Sequence, residues 1–222
     1  MFFHQHPYPP YLTKDTEKII VGTLPPPRFS TGDLHERDVN FCYGSYHNSL
    51  WLFLDKIFNL NLRFDNSEAA ILERQQFLNQ RKIGVCDIVE SCYREKIDAS
   101  DLGMNQIKLR NLMGYIKAYP NIHTILFTGG NSKNGPEYFL RKQLKEQGIS
   151  LTKIEDEIPR IHQFNINSEG QPNRLITTVS LTSPSGSANR AIGSMPLYKQ
   201  LKQRDAKFST FDFRVMQYRE FF

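Results

Sequence analysis

The sequence predicts an α/β domain built on a short, mainly parallel sheet with helices on both faces. Three observations carry this. First, β-branched runs at 19–21, 124–128 and 175–181 read as buried strands. Second, segments with apolar residues at helical spacing lie between them. Third, each run ends in a loop of small, polar or proline residues, at 22–27, 128–131 and 182–190. Strands alternating with helices form parallel sheets. All three loops then share one edge, the edge where open α/β sheets bind ligands.

The 222 residues suit one domain, with 1–17 as an extended N-terminal arm and 208–222 holding a C-terminal helix packed on it. Hydrophobic residues make up 39% and charged residues 23%, so a soluble chain is expected. The net charge of +5 permits nucleic-acid binding without demanding it. Cys42, Cys86 and Cys92 are odd in number and unrelated in spacing. They fit a reducing cytoplasm and argue against a disulfide framework, a zinc site or an iron–sulfur cluster. The start, MFFHQHPYPPYL, has no basic region or long apolar core, and no later stretch approaches the roughly 20 apolar residues of a membrane span. His4 and His6 read as part of a proline-stiffened arm rather than a metal-binding tip.

In chain order, strand 18–21 runs into Gly22-Thr23 and three prolines, which forbid a following strand or an immediate helix. Residues 30–40 read as a mobile loop. Gly44-Ser45 marks a turn, and Asn48 or Ser49 caps a helix bearing Leu50, Phe53, Leu54, Ile57 and Phe58 on one face. A helix over 68–81 starts at Asn66-Ser67, and 83–89 reads as a strand or strand edge. The charged stretch 90–99 reads as a surface excursion, and 107–118 as a helix. Strand 124–128 leads through Gly129-Gly130-Asn131 to a helix opened by Pro136. Residues 151–161 are polar. Residues 163–166 either pair with 175–179 across the SEGQPNR turn or form a lone edge strand. Two helical patterns, 197–207 and 211–222, finish the chain.

Several chemistries are excluded. The chain has no GxxxxGK[ST] phosphate loop, no GxGxxG and no GxSxG elbow. Ser45 and His47 have no evident third partner for nucleophilic catalysis. What remains at the edge is backbone amides, hydroxyls, Asn side chains and aromatics. Phe41, Tyr43 and Tyr46 beside Gly44 offer a stacking wall for a planar ring, although Phe41 and Trp51 also read as core. The SPSGSANR loop can press backbone amides against phosphates with Arg190 as ionic partner, or can be a strand–helix turn capped by Ser185 or Ser187.

With these pieces placed, the chain resembles the uracil-DNA glycosylase superfamily. GTLPPPRF (22–29) is similar to that family's first motif, and FCYGSYHNSLW (41–51) to its aromatic–Gly segment with Asn and a Trp-bearing helix. IGVCDIVESCYREKIDASDL (83–102) is similar to a segment of the hypoxanthine-processing branch. TSPSGSANR (182–190) resembles the DNA-wedging loop of mismatch-specific members. The resemblance implies a three-layer α/β/α sandwich and hydrolysis of the N-glycosidic bond of a base flipped out of DNA. It implies no metal and no cofactor. It assigns catalysis to Asn48, Thr23 and Asp87. Base binding falls to Tyr43, Phe41, Gly22, Thr128 and Asn131, and DNA binding to Ser183, Pro184, Ser185, Gly186, Asn189 and Arg190. Asn48 also reads as a helix cap, and Asp87 as a buried structural acceptor.

The chain departs from the family pattern in four places. Thr23-Leu24 replaces the Asp or Asn of the first motif. Thr128 stands at the strand-end Asn, and Ser183 where His or Asn is common. Ser187-Ala188 replaces a bulky wedge residue. Two functions follow. One is a monomeric, cytoplasmic DNA glycosylase acting on uracil or hypoxanthine in base-excision repair. The other is a catalytically weak or inactive nucleic-acid or nucleotide-binding module on the same fold.

Overall fold

A computed structural model of the chain describes residues 1–167 and 172–222. In chain order the elements are β1 (Phe2–Gln5), β2 (Lys18–Val21), α1 (Arg28–Thr31), α2 (Leu50–Phe58), α3 (Glu68–Gln80) and β3 (Ile83–Val85). Then come β4 (Val89–Arg94), β5 (Met104–Leu109), α4 (Leu112–Ala118), β6 (Thr124–Phe127) and α5 (Pro136–Glu146). The chain closes with β7 (Thr152–Glu155), β8 (Arg160–Ile166), β9 (Arg174–Ser180), α6 (Asn189–Ser194), α7 (Pro196–Arg204) and α8 (Thr210–Arg219).

The expected α/β fold is present. The main sheet has the order β3-β2-β6-β9-β8-β7. β3, β2, β6 and β9 are parallel, and β8 joins β9 antiparallel. Side chains of a strand alternate faces, so Ile19 and Val21 point one way and Ile20 the other. Ile19, Val21, Ile125, Phe127 and Ile176 pack with Met113 and Ile116 of α4 and Phe139, Leu140 and Leu144 of α5. Ile20, Leu126 and Val179 pack with Leu50, Phe53 and Leu54 of α2, Phe77 and Leu78 of α3, and Val215 and Tyr218 of α8. Both faces of the sheet are therefore covered. Among the described residues no helix is long and apolar enough to cross a membrane.

Several sequence expectations are corrected. Residues 90–99 are not simply a charged excursion. β4 and β5 form a second, antiparallel sheet with β1, in the order β1-β4-β5. The sequence signal was weak because the strands carry charged residues on an outer face, while Val89, Ser91, Cys92 and Arg94 of β4 are buried. The helix expected over 107–118 starts only at Leu112, because Ile107 and Leu109 belong to β5 and Asn111 caps the helix by accepting from the Gly114 N–H at 2.8 Å. The three prolines do not prevent a helix. Pro27 has helical dihedrals (φ −51°, ψ −32°) and leads directly into α1, as the fixed φ of proline allows at a first turn. Residues 163–166 do pair with β9, within a longer β8, and β7 extends that side. Most of the expected SEGQPNR turn lies outside the described residues.

The N-terminal arm is bonded onto the domain. β1 pairs with β4, and Tyr11 exchanges two backbone hydrogen bonds with Val85, at 2.8 and 2.9 Å, which covers the β3 edge. His4 is buried, and its Nδ1 accepts from Arg94 Nε at 2.8 Å. Burial, and then the Arg94 charge, lower the His4 pKa from 6.5 to about 4.

Between those two values the unfolded chain binds more protons than the folded one, so stability falls as pH falls through the window. The expected loss is about 3 kcal/mol, complete near pH 4. Urea unfolding measured from pH 7 to pH 4 should show this slope. His4→Gln, which keeps an acceptor for Arg94 but cannot titrate, should flatten it.

Candidate functional site

The carboxyl ends of β2, β3, β6 and β9 open onto one cleft of about 720 Å³. That is within the range of pockets that hold small organic ligands, roughly 300–1,000 Å³. Its lining comes from the 22–26 loop, the 43–48 loop, Asp87, the 98–101 loop, the 128–136 loop and the 183–188 loop. The three strand-end loops singled out in the sequence therefore meet there, with the 43–48 loop, Asp87 and the 98–101 loop.

Asp87 forms the floor. Its Oδ1 accepts from the Gly22 N–H and the Tyr43 hydroxyl, each at 2.8 Å, and its Oδ2 lies 3.1 Å from His6 Nε2. Thr128 Oγ1 sits 3.1 Å from the Tyr43 hydroxyl. Burial, and then the Asp87 charge, push the Tyr43 pKa well up, so the hydroxyl stays protonated and donates. Tyr43 holds a left-handed backbone (φ 58°), an uncommon state for a non-glycine residue that the surrounding bonds sustain. Gly22 is required at the floor. A Cβ there would collide with the Tyr43 hydroxyl and fall 2.9 Å from Asp87 Oδ1 and 3.0 Å from Thr128 Oγ1.

Thr23 stands beside the floor and donates its hydroxyl to Asp101 Oδ1 at 2.7 Å. Asp101 lines the cleft, and burial raises its pKa, against the opposing pull of Thr23 and Arg94. The 98–101 loop is held from two sides. Arg94 Nη1 donates to the Ser100 carbonyl at 2.6 Å, and Asn134 Nδ2 to the Asp101 carbonyl at 3.0 Å. Asp101 was absent from the sequence-based site. A signal was available, an acid closing the similar 83–102 segment, but nothing local shows that it faces Thr23.

The 43–48 loop rests on a buried carboxylate. Asp38 accepts from Arg28 Nε at 2.7 Å, Arg28 Nη2 at 2.9 Å, and the His35 and Tyr46 N–H groups at 2.9 and 3.0 Å. Burial opposes its charge, but these donors outweigh it and bring the pKa down to about 2. A Cβ at Gly44 would overlap the Val39 carbonyl, so the turn admits glycine alone. Asn48 lines the cleft, and its Oδ1 accepts from the Leu50 N–H at 3.0 Å. The N-cap of α2 is Ser49, whose side chain makes no capping bond, and Asn48, one residue earlier, serves the helix start and the cleft with one side chain.

The last loop is fastened from behind by α8. Arg214 Nη1 donates to the Ser183 and Ser185 carbonyls at 3.1 and 3.0 Å, and Nη2 to Asn189 Oδ1 at 2.6 Å. Gln217 accepts from the Thr182 N–H at 2.8 Å, and Tyr218 donates to the Thr182 carbonyl at 2.8 Å.

Of the sequence-derived site residues, Gly22, Thr23, Tyr43, Asn48, Asp87, Thr128, Ser183, Pro184 and Ser185 line the cleft. Phe41, Asn131, Gly186, Asn189 and Arg190 do not. Phe41 is buried among Tyr8, Tyr11 and Trp51 and belongs to the core. Asn131 is exposed on the loop after β6, where Gly129, Gly130 and Ser132 face the cleft instead. The Asn189 side chain is taken by Arg214 and Thr210. Among the described residues, no group of three or more His, Cys, Asp or Glu is placed to hold a metal ion.

A curated protein, the hypoxanthine DNA glycosylase of Methanosarcina barkeri, is 27% identical over 125 residues, covering 56% of this chain and 71% of that protein. This distant similarity supports a relationship to DNA glycosylases. No family model matches the chain, and no solved structure matches it.

Gly22→Ala should cost about 1–3 kcal/mol by forcing the Tyr43, Asp87 and Thr128 groups apart. Gly186→Ala, where a Cβ meets open space, should stay within about 0.5 kcal/mol of wild type. Urea unfolding of the two variants checks the difference.

Proposed function

We propose that this chain is a DNA glycosylase of the uracil-DNA glycosylase superfamily. It hydrolyses the N-glycosidic bond of a deaminated base, uracil or hypoxanthine, flipped out of DNA. The observation that carries the reading is the convergence of Tyr43, Asn48 and Thr23 on one cleft beside the 183–188 loop. The distant glycosylase relative supports it. A monomer suffices, since every residue invoked comes from one chain.

In this reading the extruded base enters the cleft and stacks on Tyr43, a contact worth about 1–3 kcal/mol. Asp87 and Thr128 fix the Tyr43 hydroxyl and with it the ring. Asn48 and Thr23 position the attacking water. The 128–130 loop, with its two glycines, brings backbone groups close to the base edge. Hydrogen-bond donors there stabilise the negative charge of the departing base. The 183–188 loop, held by Arg214, lies against the DNA backbone.

Charge outside the cleft fits a DNA partner. Arg190, Lys199, Lys202, Arg204 and Lys207 follow the last loop, are exposed, and form no ion pair among the described residues. Each cation that meets a phosphate releases a counterion, so log K should fall with log[salt] by about 0.9 per contact. Lys199→Gln combined with Lys202→Gln should reduce that slope by about one to two. Fluorescence anisotropy with a labelled duplex at several salt concentrations reads it directly.

One observation favours the binding-module alternative. The oxygen of Asn48 already accepts from the Leu50 N–H, which reduces its freedom to orient water. Oligonucleotides carrying uracil, hypoxanthine or xanthine, treated with excess protein and then alkali, separate the two. Strand cleavage at the modified base supports the glycosylase. Salt-dependent binding without release of any base leaves only the binding module.

A further inference from the structure

Hydrolysis of a glycosidic bond needs an acceptor for the proton of the attacking water, and most acceptors in the cleft are committed. Asp87 has Oδ1 filled by two donors and Oδ2 facing His6. Asn48 Oδ1 holds the Leu50 N–H, and an amide is a poor proton acceptor in any case. The Asp98 side chain is 48% exposed and lies 3.7 Å from Arg94. His47 lines the cleft but is exposed, with its ring centroid 3.8 Å from that of Tyr46 and the two rings tilted by 36°. Asp101 is different. It lines the cleft, is half-buried, and has one oxygen on the Thr23 hydroxyl, while its Oδ2 makes no hydrogen bond among the described residues. Its loop is fixed by Arg94 and Asn134.

We propose that Asp101 is the catalytic base, supplying from the 98–101 loop the carboxylate that the 22–27 loop lacks. The inference rests on the glycosylase reading above. The Asp101 carboxylate takes one proton from water as the water oxygen bonds to C1′ of the sugar. The C1′–N bond breaks, and its electron pair leaves with the base. The base anion takes a proton from solvent, and Asp101 returns its proton to solvent. Thr23 is a positioning residue that orients the carboxylate and stabilises its ionised form. The charged groups around Asp101 are Arg94 of β4, Asp98 of its own loop and Asp87 of the floor.

The test is single-turnover base release, with enzyme in excess over a hypoxanthine- or uracil-containing oligonucleotide, followed across pH. Wild-type rate should rise with pH along one limb as Asp101 ionises. Asp101→Asn should lower the rate about 10²–10⁴-fold and abolish the limb, while duplex affinity by anisotropy stays within threefold. Thr23→Val removes a bond that favours the carboxylate, so the limb should move to higher pH, an effect that a purely structural Thr23 would not produce. An active wild type whose Asp101→Asn variant keeps its rate within threefold and retains the limb overturns the assignment and leaves the glycosylase reading standing. Loss of the limb in His47→Ala instead overturns it equally. A wild type that releases no base from either oligonucleotide overturns both.

Discussion

A carboxylate placed just past the end of β3 sets the geometry of everything around the cleft. Asp87 is almost fully buried, and a buried charge is tolerated only when donors surround it. Its donors come from three distant parts of the chain: the loop after β2, the 43–48 loop and the N-terminal arm. The Asp87 carbonyl also lies 3.3 Å from Arg110 Nη1, whose other terminal nitrogen donates to the Tyr8 carbonyl. One acid therefore ties the first strand-end loop, the aromatic loop and the arm to a single point. Tyr43 keeps its unusual backbone conformation because its hydroxyl is held there, and Gly22 has no side chain because none would fit.

The other loops of the cleft follow a related rule, with arginine in place of the acid. Loop carbonyls near a buried surface need donors, and the planar guanidinium serves two or three at once. Arg94 holds the 98–101 loop, and Arg214 holds the 183–189 loop. Each sits on a regular element, β4 or α8, and each is itself buried. Loops rich in small residues, such as SPSGSANR, have little apolar surface to anchor them. Long-range polar clamps do that instead, and they place Thr23 opposite Asp101 and Ser185 opposite Asn48.

This division also explains what could be read from sequence. The strands at 18–21, 124–127 and 174–180 are legible because a β-branched, doubly buried strand is a local signal. The shared edge follows from topology alone, so the meeting of the 22–26, 128–136 and 183–188 loops was accessible. The β4–β5 sheet was not, since its outer face is charged and its pairing partner β1 lies some 90 residues earlier. Asp101 was missed for the same reason, because its position depends on Arg94 and Asn134. Phe41 and Asn131 show the opposite error. Both are plausible by residue type, yet one is drawn into the core by Tyr11 and Trp51, and the other is turned outward while its glycine neighbours face the cleft.

The distribution of charge bears on how the proposed reaction would run. Asp87, Asp98 and Asp101 line the cleft, and among the described residues no lysine or arginine does. A phosphate has no cationic partner inside, whereas exposed cations stand outside it along 190–207. A polyanion is thus attracted to the surface and repelled from the interior, so the part of a nucleotide suited to the cleft is its neutral base with the attached sugar. Breaking the glycosidic bond then builds positive charge on the sugar and negative charge on the base. Carboxylates preorganised near the sugar stabilise the first. The base anion has to be met by neutral donors, which the backbone of Gly129 and Gly130 can supply without placing a cation in the cleft. On that account the carboxylate is supplied by a segment whose position the buried Arg94 and Asn134 determine together.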